Sequence, residues 1–250
     1  MIRLAFQLSN HQEDFLIAAS WVDDIEVVCI DENPDAFVTD DADIQSNEKP
    51  VLLFGSLPIE GKSLITPALP KRFSPEVIAL RESLDAGNLG KLGLLRMHLW
   101  NQQQSDGIQE MVHAIDLTLW FFGTEPKYIH GTTSAENEVK CSLIHLGFEC
   151  GGMALLDFTN SMPTGDNYES LCLIGSNGAA YADDHRNRNL FFNGGAPDAK
   201  YPDTSMNFIG PMLEDFTKRI KTGADLESNS KSYNEAFKIF SEAGEKYYFK

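Results

Sequence analysis

The chain has 250 residues, of which 42% are hydrophobic and 23% are charged, and this is enough to bury a sizeable core in one large domain or two small ones. The composition excludes disordered and collagen-like proteins. Lysine and arginine total 20 against 37 aspartate and glutamate, and the net charge of −17 argues against nucleic acid or an anionic membrane surface as a partner.

Apolar runs and cysteines indicate the compartment. No apolar run approaches the roughly 20 residues that a membrane-spanning helix needs, and the first residues lack a signal-peptide pattern. The four cysteines lie far apart and form no CxxC pair. We therefore expect a cytoplasmic protein without membrane contact, whose thiols are reduced and mostly buried.

The N-terminal part has the pattern of strand, helix and strand. Residues 2–6 form an apolar run, Asn10 and Glu13 have capping-box spacing before a helical pattern, and residues 25–30 are rich in β-branched side chains. Dinucleotide-binding folds place an acid near the end of the second strand to bind a ribose hydroxyl, and Asp31 stands there. The alternative is an acid that simply ends a strand in a turn.

The next segment is predicted to connect two domains. Residues 33–47 are acidic and polar without a helical apolar face and are predicted to be loop, whereas residues 51–54 are a buried-strand candidate. Prolines at positions 58, 67, 70 and 75 then keep the chain extended. We place the domain boundary at this linker, with domains at residues 1–70 and 71–250.

The second domain is predicted to contain helices and a sheet. Helical spacing covers residues 75–86 before Gly87 and residues 107–122 before Gly123. Strand patterns cover residues 92–100, 127–133, 139–148, 153–159, 168–174 and 179–183, and two helices close the chain at residues 208–221 and 232–247. These elements predict an open, mostly antiparallel sheet with helices on one face, whose other face we expect a second copy to cover.

Several ordered segments carry a resemblance to a known family. They are Lys71-Arg72-Phe73-Ser74-Pro75, Gly87-Asn88-Leu89-Gly90, His113-Ala114-Ile115-Asp116 and Leu119-Trp120-Phe121-Phe122-Gly123. Their order and spacing resemble the glucose-fructose oxidoreductase and inositol dehydrogenase (Gfo/Idh/MocA) family. The resemblance implies a Rossmann domain that binds NAD or NADP, a substrate domain whose open sheet forms a homodimer, and hydride transfer to or from a sugar or polyol carbon.

The cofactor motif of the family is the first departure. Its glycine fingerprint would fall on Gln7, Ser9 and about Gln12, and no glycine precedes Gly55. A phosphate-binding turn needs glycine so that the backbone can approach the pyrophosphate. The resemblance leaves Asp31, Ser9 and Asn10 as the cofactor-binding candidates.

The catalytic motifs are the second departure. The family's Glu-Lys-Pro motif matches Glu48-Lys49-Pro50. In the family the motif follows a strand, however, whereas this triplet precedes the strand candidate at residues 51–54. The triplet that follows that strand is Ser56-Leu57-Pro58, which contains no lysine. The family's Asp-x-x-x-His pair stands as Gln109 and His113, so the histidine is kept and the acid is not.

Each candidate side chain has a functional and a structural interpretation. His113 would serve as acid/base because imidazole titrates near neutral pH, and Lys49 would stabilise a developing alkoxide. The alternatives are a buried helix histidine bonded to a carbonyl and a solvated loop lysine. The candidate substrate-binding residues are Arg72, Trp100, Asn101 and Asp116, for which ordinary strand-end and helix-start roles are the alternative.

The other histidines do not predict a metal site. No HxH or HxxxH spacing occurs among His98, His130, His145 and His185.

Two functions from different classes follow. The first is a relative of NAD(P)-dependent sugar or polyol oxidoreductases in which cofactor binding is impaired or lost. The second is a catalytically silent protein that binds a sugar-like small molecule or serves as the partner subunit of an active homologue. About 70 residues precede Arg72, whereas a complete dinucleotide-binding domain takes about twice as many. The fold class is therefore predicted as a shortened Rossmann-like α/β domain followed by the open-sheet domain.

Overall fold

A computed structural model describes residues 1–10, 12–41, 43–44, 48–55, 64–102, 107–136, 139–163, 167–183, 188–192, 194–196, 198–201 and 208–245. The chain divides into two compact units, Met1–Ser74 with Ser205–Asn234 and Pro75–Thr204 with Glu235–Lys250. The predicted division at residues 70 and 71 therefore differs in two respects, because the boundary lies at Ser74 and Pro75 and because residues 205–234 join the first unit. The chain leaves that unit and returns to it.

The first unit contains a parallel sheet of five strands. These are β1 (Ile2–Gln7), β2 (Ile25–Val27), β3 (Ala36–Thr39), β4 (Val51–Leu53) and β5 (Ile65–Pro67). Their order is β2-β1-β3-β4-β5. This order corresponds to the dinucleotide-binding order 3-2-1-4-5-6 without the strand beyond β2, and it reverses between β1 and β3.

Strand β3 corrects the prediction that residues 33–47 are loop. All four of its residues are buried, and it pairs with β1 and β4 in parallel. A strand that is buried on both faces has a continuous apolar run instead of an alternating pattern. Here the strand has only three apolar residues and Thr39, and it lies between Asp35 and Asp40, so the acidic composition of the segment obscured it.

Both faces of this sheet are buried. Successive side chains of β1 alternate, since Leu4 and Phe6 belong to one core cluster and Ala5 to another. The first cluster is closed by helices α1 (Gln12–Ser20) and α4 (Ile209–Thr222) through Phe15, Leu213 and Phe216. Both helices had been predicted from their apolar spacing.

The second unit contains a mixed sheet of eight strands. These are β6 (Leu92–Gln102), β7 (Tyr128–Glu136), β8 (Val139–Gly147), β9 (Met153–Met162), β10 (Tyr168–Gly175), β11 (Ala179–Asp183), β12 (Arg188–Phe192) and β13 (Asp198–Lys200). Their order is β13-β12-β11-β10-β6-β9-β8-β7, and β6 runs parallel to β9. Strand β6, the first strand of this unit in chain order, therefore lies between β9 and β10. Because it is parallel to β9, the sheet is mixed and not purely antiparallel.

Helices cover one face of the eight-stranded sheet. Helix α2 (Pro75–Asp85) packs on β11 and β12, and α3 (Ile108–Phe122) packs on β6 and β9. Helix α5 (Glu227–Glu245) approaches β7 so closely that a Cβ at Gly131 would lie 2.5 Å from the Ala243 carbonyl oxygen. The predicted open sheet with helices on one face is confirmed.

Helix α5 begins earlier than predicted. Asp225 accepts a hydrogen bond of 2.8 Å from the Glu227 N–H and satisfies one of the free donors at the helix start. Ser232 and Glu235, which have capping-box spacing, therefore lie inside the helix.

Helix length and thiol exposure bear on two further expectations. None of the described helices is long and apolar enough to cross a membrane. All four cysteines are free, as predicted, but Cys29, Cys141 and Cys150 are exposed, so the expectation of mostly buried thiols was wrong.

Candidate functional site

The carboxyl ends of β1 and β3 form the position where an open α/β sheet binds its ligand. Ligands of such sheets bind where the strand order reverses, and the reversal here lies between these two strands. The turn after β1 contains Ser9 and Asn10, and β3 is followed directly by Asp40. The three side chains are exposed.

Asp40 occupies the anion position of the first turn. One carboxylate oxygen accepts the Ser9 N–H at 2.8 Å, and the other lies 3.3 Å from the Ser9 hydroxyl. The preceding N–H, that of Leu8, donates to the Gln12 side-chain oxygen at 3.2 Å. Two backbone donors of this turn, the Leu8 and Ser9 N–H groups, are thus satisfied by the chain itself.

Side chains at this turn oppose the phosphate of a dinucleotide. A phosphate at the turn would meet the Ser9 side chain and the Asp40 carboxylate, and like charges at such a distance repel. Asp41 and Asp43 follow in the same loop, where Asp43 donates its N–H to Asp41 at 2.9 Å. The negative charge at this edge of the sheet is therefore concentrated where the family places a phosphate.

Asp31 lies on a short 3-10 helix instead of at the end of β2. This helix spans Ile30–Glu32, and the Asp31 side chain is exposed. The neighbouring Glu32 carboxylate accepts the Cys29 N–H at 2.8 Å. Asp31, the acid predicted to bind ribose, therefore comes after β2 but not directly at the end of the strand, because the 3-10 helix begins before it.

Lys49 lies at the opposite edge of the same sheet. Its ammonium group donates to the Asn33 side chain at 2.6 Å and to the Pro34 carbonyl at 2.7 Å, and both residues precede β3. The amino ends of parallel strands face away from the ligand-binding edge. This placement corrects the expectation that Lys49 stabilises an alkoxide there. The alternative triplet, Ser56-Leu57-Pro58, lies outside the described residues.

Helix α3 positions the candidate acid/base in the second unit. His113 is 6% exposed and Asp116 is 1% exposed, so both side chains belong to the buried face of the helix. Gln109 lies one turn before His113 and is half-buried. Burial of two ionisable side chains on one helix is costly unless they are paired, which marks this stretch as more than a packing face.

Glu110 places a carboxylate next to Gln109 in the sequence and near His113 on the helix. It is half-buried three residues before His113, on the same side of the helix, and it accepts a hydrogen bond of 3.2 Å from the Asn101 amide. Asn101 lies near the end of β6 on the helix-covered side. The sequence contained this signal, because Glu110 stands three residues before His113 and residues three apart are neighbours on a helix surface.

Two further predicted substrate residues are Arg72, in the first unit, and Trp100, in the second. Arg72 donates to the Ser232 hydroxyl at 2.8 Å within the first unit. Trp100 lies on the open face of the eight-stranded sheet, because its neighbour Leu99 is buried on the helix-covered face. Trp100 is thus not on the side of His113, so these two candidate residues do not line one pocket.

The open face carries a hydrogen-bonded network instead. Asp157 contacts His98 Nδ1 with one oxygen and accepts the Trp100 indole N–H at 2.7 Å with the other. Tyr168 and Tyr181 share a hydrogen bond of 2.9 Å, and Tyr181 donates to Asp183 at 3.1 Å.

Burial, the Tyr168 hydrogen bond and the nearby Asp183 charge together raise the pKa of Tyr181 well above its usual range. The phenol therefore stays protonated and donates at neutral pH.

Comparisons with known proteins agree on the fold. No family model matches the chain, and no curated protein matches it. Three solved structures are similar over nearly the full length of both chains. A dehydrogenase from Chromobacterium violaceum has a TM-score of 0.80 at 12% identity, covering 98% of this chain and 95% of that chain. Myo-inositol 2-dehydrogenase from Lactobacillus plantarum has a TM-score of 0.72 at 16% identity, covering 98% and 96%.

The third structure contains a cofactor. It is an oxidoreductase from Agrobacterium radiobacter in complex with NAD+, L-tartaric acid and magnesium, with a TM-score of 0.76 at 11% identity and coverage of 98% and 95%. These near-complete coverages do not confirm the predicted truncation. The chain has the fold of Gfo/Idh/MocA-type dehydrogenases, with a Rossmann-like parallel sheet in one unit and a mostly antiparallel sheet in the other.

Proposed function

We propose that this chain is a relative of NAD(P)-dependent sugar and polyol oxidoreductases in which dinucleotide binding is impaired or lost. The observation that carries this proposal is the pair of hydrogen bonds between Asp40 and Ser9 at the first turn. An oxidoreductase of this fold needs those donors for the pyrophosphate of NAD or NADP. In this chain they are already engaged by an internal carboxylate.

The ligand of the proposed site is a small polyol or sugar-like molecule bound beside α3. His113, Glu110 and Asn101 offer an imidazole, a carboxylate and an amide on one side of the sheet. Hydroxyl groups of a polyol both donate and accept, so they match this mixed set. His113 would hold or move a hydroxyl proton, and Glu110 would orient the ligand.

The second candidate is an active dehydrogenase that uses NAD or NADP. The solved Agrobacterium radiobacter oxidoreductase, which has this fold, contains NAD+. His113 is retained in a buried position that suits proton transfer. In that case the dinucleotide would bind with the first turn rearranged, since Asp40 would have to release Ser9.

We also expect a homodimer formed through the open face of the eight-stranded sheet. Ile174, Leu94 and Met153 lie side by side across three strands of this face, and Ile174 and Met153 are each 42% exposed. The carboxylates Asp157 and Asp183 are both hydrogen-bonded, which lowers the cost of covering them. Ile174→Asp should convert the dimer to a monomer in sedimentation; a wild-type monomer would contradict this expectation.

Titration with NADH and with NADPH tests the proposal, with nicotinamide fluorescence or calorimetry as the readout. The expected result is no saturable binding up to millimolar concentrations. Saturable binding at micromolar concentrations would refute impaired binding and favour the dehydrogenase.

A double variant sharpens the test. Ser9→Gly with Asp40→Asn removes the side chain and the charge that oppose a phosphate, and it should bind NADH more tightly than the wild type. Asp43→Asn makes the same charge change in the same loop without touching Ser9 and serves as the matched control. Equal NADH affinity in both variants would show that Asp40 is not the obstacle.

A further inference from the structure

The parallel sheet of the first unit ends at strand β2, whose outer side carries backbone groups that pair with no further strand. In the described part of the chain, β2 pairs with β1 alone. The Val28 N–H donates to the Leu4 carbonyl at 3.0 Å and so faces β1, as does Glu26 two residues earlier. Because the backbone groups of successive residues point to opposite sides of a strand, the N–H and C=O groups of Ile25 and Val27 point outward. We call residues 25–27 the β2 edge.

The other edge of the same sheet, at β5, is closed by the chain itself. Pro67 has no N–H to donate, and the Ile65 carbonyl accepts the Ser230 hydroxyl at 2.8 Å. Prolines and covering side chains are devices by which a sheet prevents pairing with another chain. The β2 edge contains no proline and no lysine, and Glu32 closes only the Cys29 N–H that follows it, at 2.8 Å.

The side chains of the β2 edge alternate between an apolar and an acidic face. Val27 is 45% exposed on the face of α1, because its partner Leu4 belongs to the core cluster that α1 closes. Glu26 points to the opposite face, where its carboxylate lies 3.7 Å from Arg3. A strand that pairs with β2 therefore places one set of alternate side chains against Val27 and the other set against Glu26.

Acidic side chains surround this edge. Residues 21–35 contain six aspartates and glutamates and no lysine or arginine. Arg3 contacts Glu26 at 3.7 Å and Lys221 contacts Asp24 at 2.9 Å, so these two cations neutralise at most two of the six acids. The excess negative charge attracts a basic segment, and it repels a second copy of the same edge, which would bring two acidic segments together.

We propose that the β2 edge binds an extended segment of a partner protein in which apolar residues alternate with lysine or arginine. The segment adds a sixth strand to the sheet, at the position where the dinucleotide-binding order has its further strand. Main-chain hydrogen bonds to Ile25 and Val27 hold the segment, its apolar side chains cover Val27, and its cations approach Glu26. The β2 edge belongs to the first unit and the expected homodimer face to the second, and neither cofactor loss nor the homodimer is a premise.

A peptide of three Lys-Val repeats, acetylated, amidated and labelled with a fluorescent dye, tests the edge by fluorescence anisotropy. It should bind the wild type saturably, with one peptide per chain. Peptides of Lys-Ser and of Glu-Val repeats should each bind at least tenfold more weakly, because the first lacks apolar side chains and the second lacks cations. Absence of saturable Lys-Val binding, or equal binding of either control peptide, would overturn the proposal.

Two variants locate the bound peptide. Val27→Pro removes an outward N–H without breaking a hydrogen bond to β1, and Glu26→Lys reverses the charge of the acidic face. Each should weaken Lys-Val binding at least tenfold. Glu82→Lys makes the same charge change at an exposed residue of α2 and should keep the wild-type affinity within twofold. Unchanged affinity in either edge variant, or an equal loss in Glu82→Lys, would refute binding at the β2 edge.

Amide hydrogen exchange of the wild type gives a readout that needs no variant. The Lys-Val peptide should slow exchange of the outward Ile25 and Val27 amides at least tenfold and leave the Glu26 amide, which faces β1, unchanged. Unchanged exchange at the two outward amides would contradict strand pairing. Sedimentation identifies the competing occupant: if Val27→Pro dissociates a dimer that Ile174→Asp leaves intact, a second copy covers the edge and the proposal is wrong.

Discussion

The hydrogen bonds between Asp40 and Ser9 predict a local change in stability when the carboxylate is removed. Asp40→Ala deletes both acceptors, at 2.8 and 3.3 Å, and leaves the Ser9 N–H without its partner. Hydrogen bonds to charged groups contribute about 1.5–3 kcal/mol, and exposure of Asp40 lowers this toward about 1 kcal/mol. A loss of about 1 kcal/mol increases local opening about fivefold. Amide hydrogen exchange at Ser9, followed by NMR, should accelerate by that factor.

Two further variants separate the bond from the charge. Asp40→Asn retains an oxygen acceptor and should accelerate Ser9 exchange by about twofold or less. Asp43→Ala removes an equivalent exposed charge from the same loop and should leave Ser9 exchange unchanged. Unchanged exchange in Asp40→Ala, or the same acceleration in Asp43→Ala, would refute the role assigned to Asp40.

Three more predictions concern other parts of the molecule. Gly107→Ala should destabilise the fold by about 2–4 kcal/mol in urea unfolding, because φ is +75° and a Cβ would lie 2.4 Å from the Phe158 ring. Lys221 holds the pKa of Asp24 below its usual range, so this pair stabilises the fold above about pH 4 and is lost as the pH falls through the lowered pKa. Asp24→Asn should therefore melt lower than the wild type at pH 7 and equally at pH 2. His113→Ala should weaken polyol binding in a thermal-shift assay without altering the response to NADH.

Helices were the part of the fold that sequence patterns predicted best. Residues 107–122 have apolar side chains at helical intervals and end at Gly123, and the structure has α3 at Ile108–Phe122 with Gly123 at φ +67°. Gly123 ends the helix through its own backbone conformation, because glycine readily adopts the left-handed region in which helices commonly end. Such signals need no information from distant residues.

Strand order and register could not be predicted in the same way. The sequence indicates that residues 92–100 form a strand, but only the three-dimensional pairing shows that β6 lies between β9 and β10. The same pairing determines that Trp100 faces away from α3 and that His130 lies opposite His145. A motif search along the chain is limited to neighbours in sequence, whereas a sheet creates neighbours from different strands.

The opposite placements of Lys49 and Asp40 show why a matched triplet was the weaker guide to the site. Glu48-Lys49-Pro50 agrees with a family motif, yet it precedes β4 and therefore lies at the amino edge of the parallel sheet. Asp40 matches no motif, yet it follows β3 and therefore lies at the carboxyl edge. In a parallel sheet, a residue that follows a strand lies at the carboxyl edge, where ligands bind, whereas a residue that precedes a strand lies at the opposite edge. Recognising β3 in the sequence would thus have placed Asp40 at the carboxyl edge of the sheet and Lys49 at the amino edge.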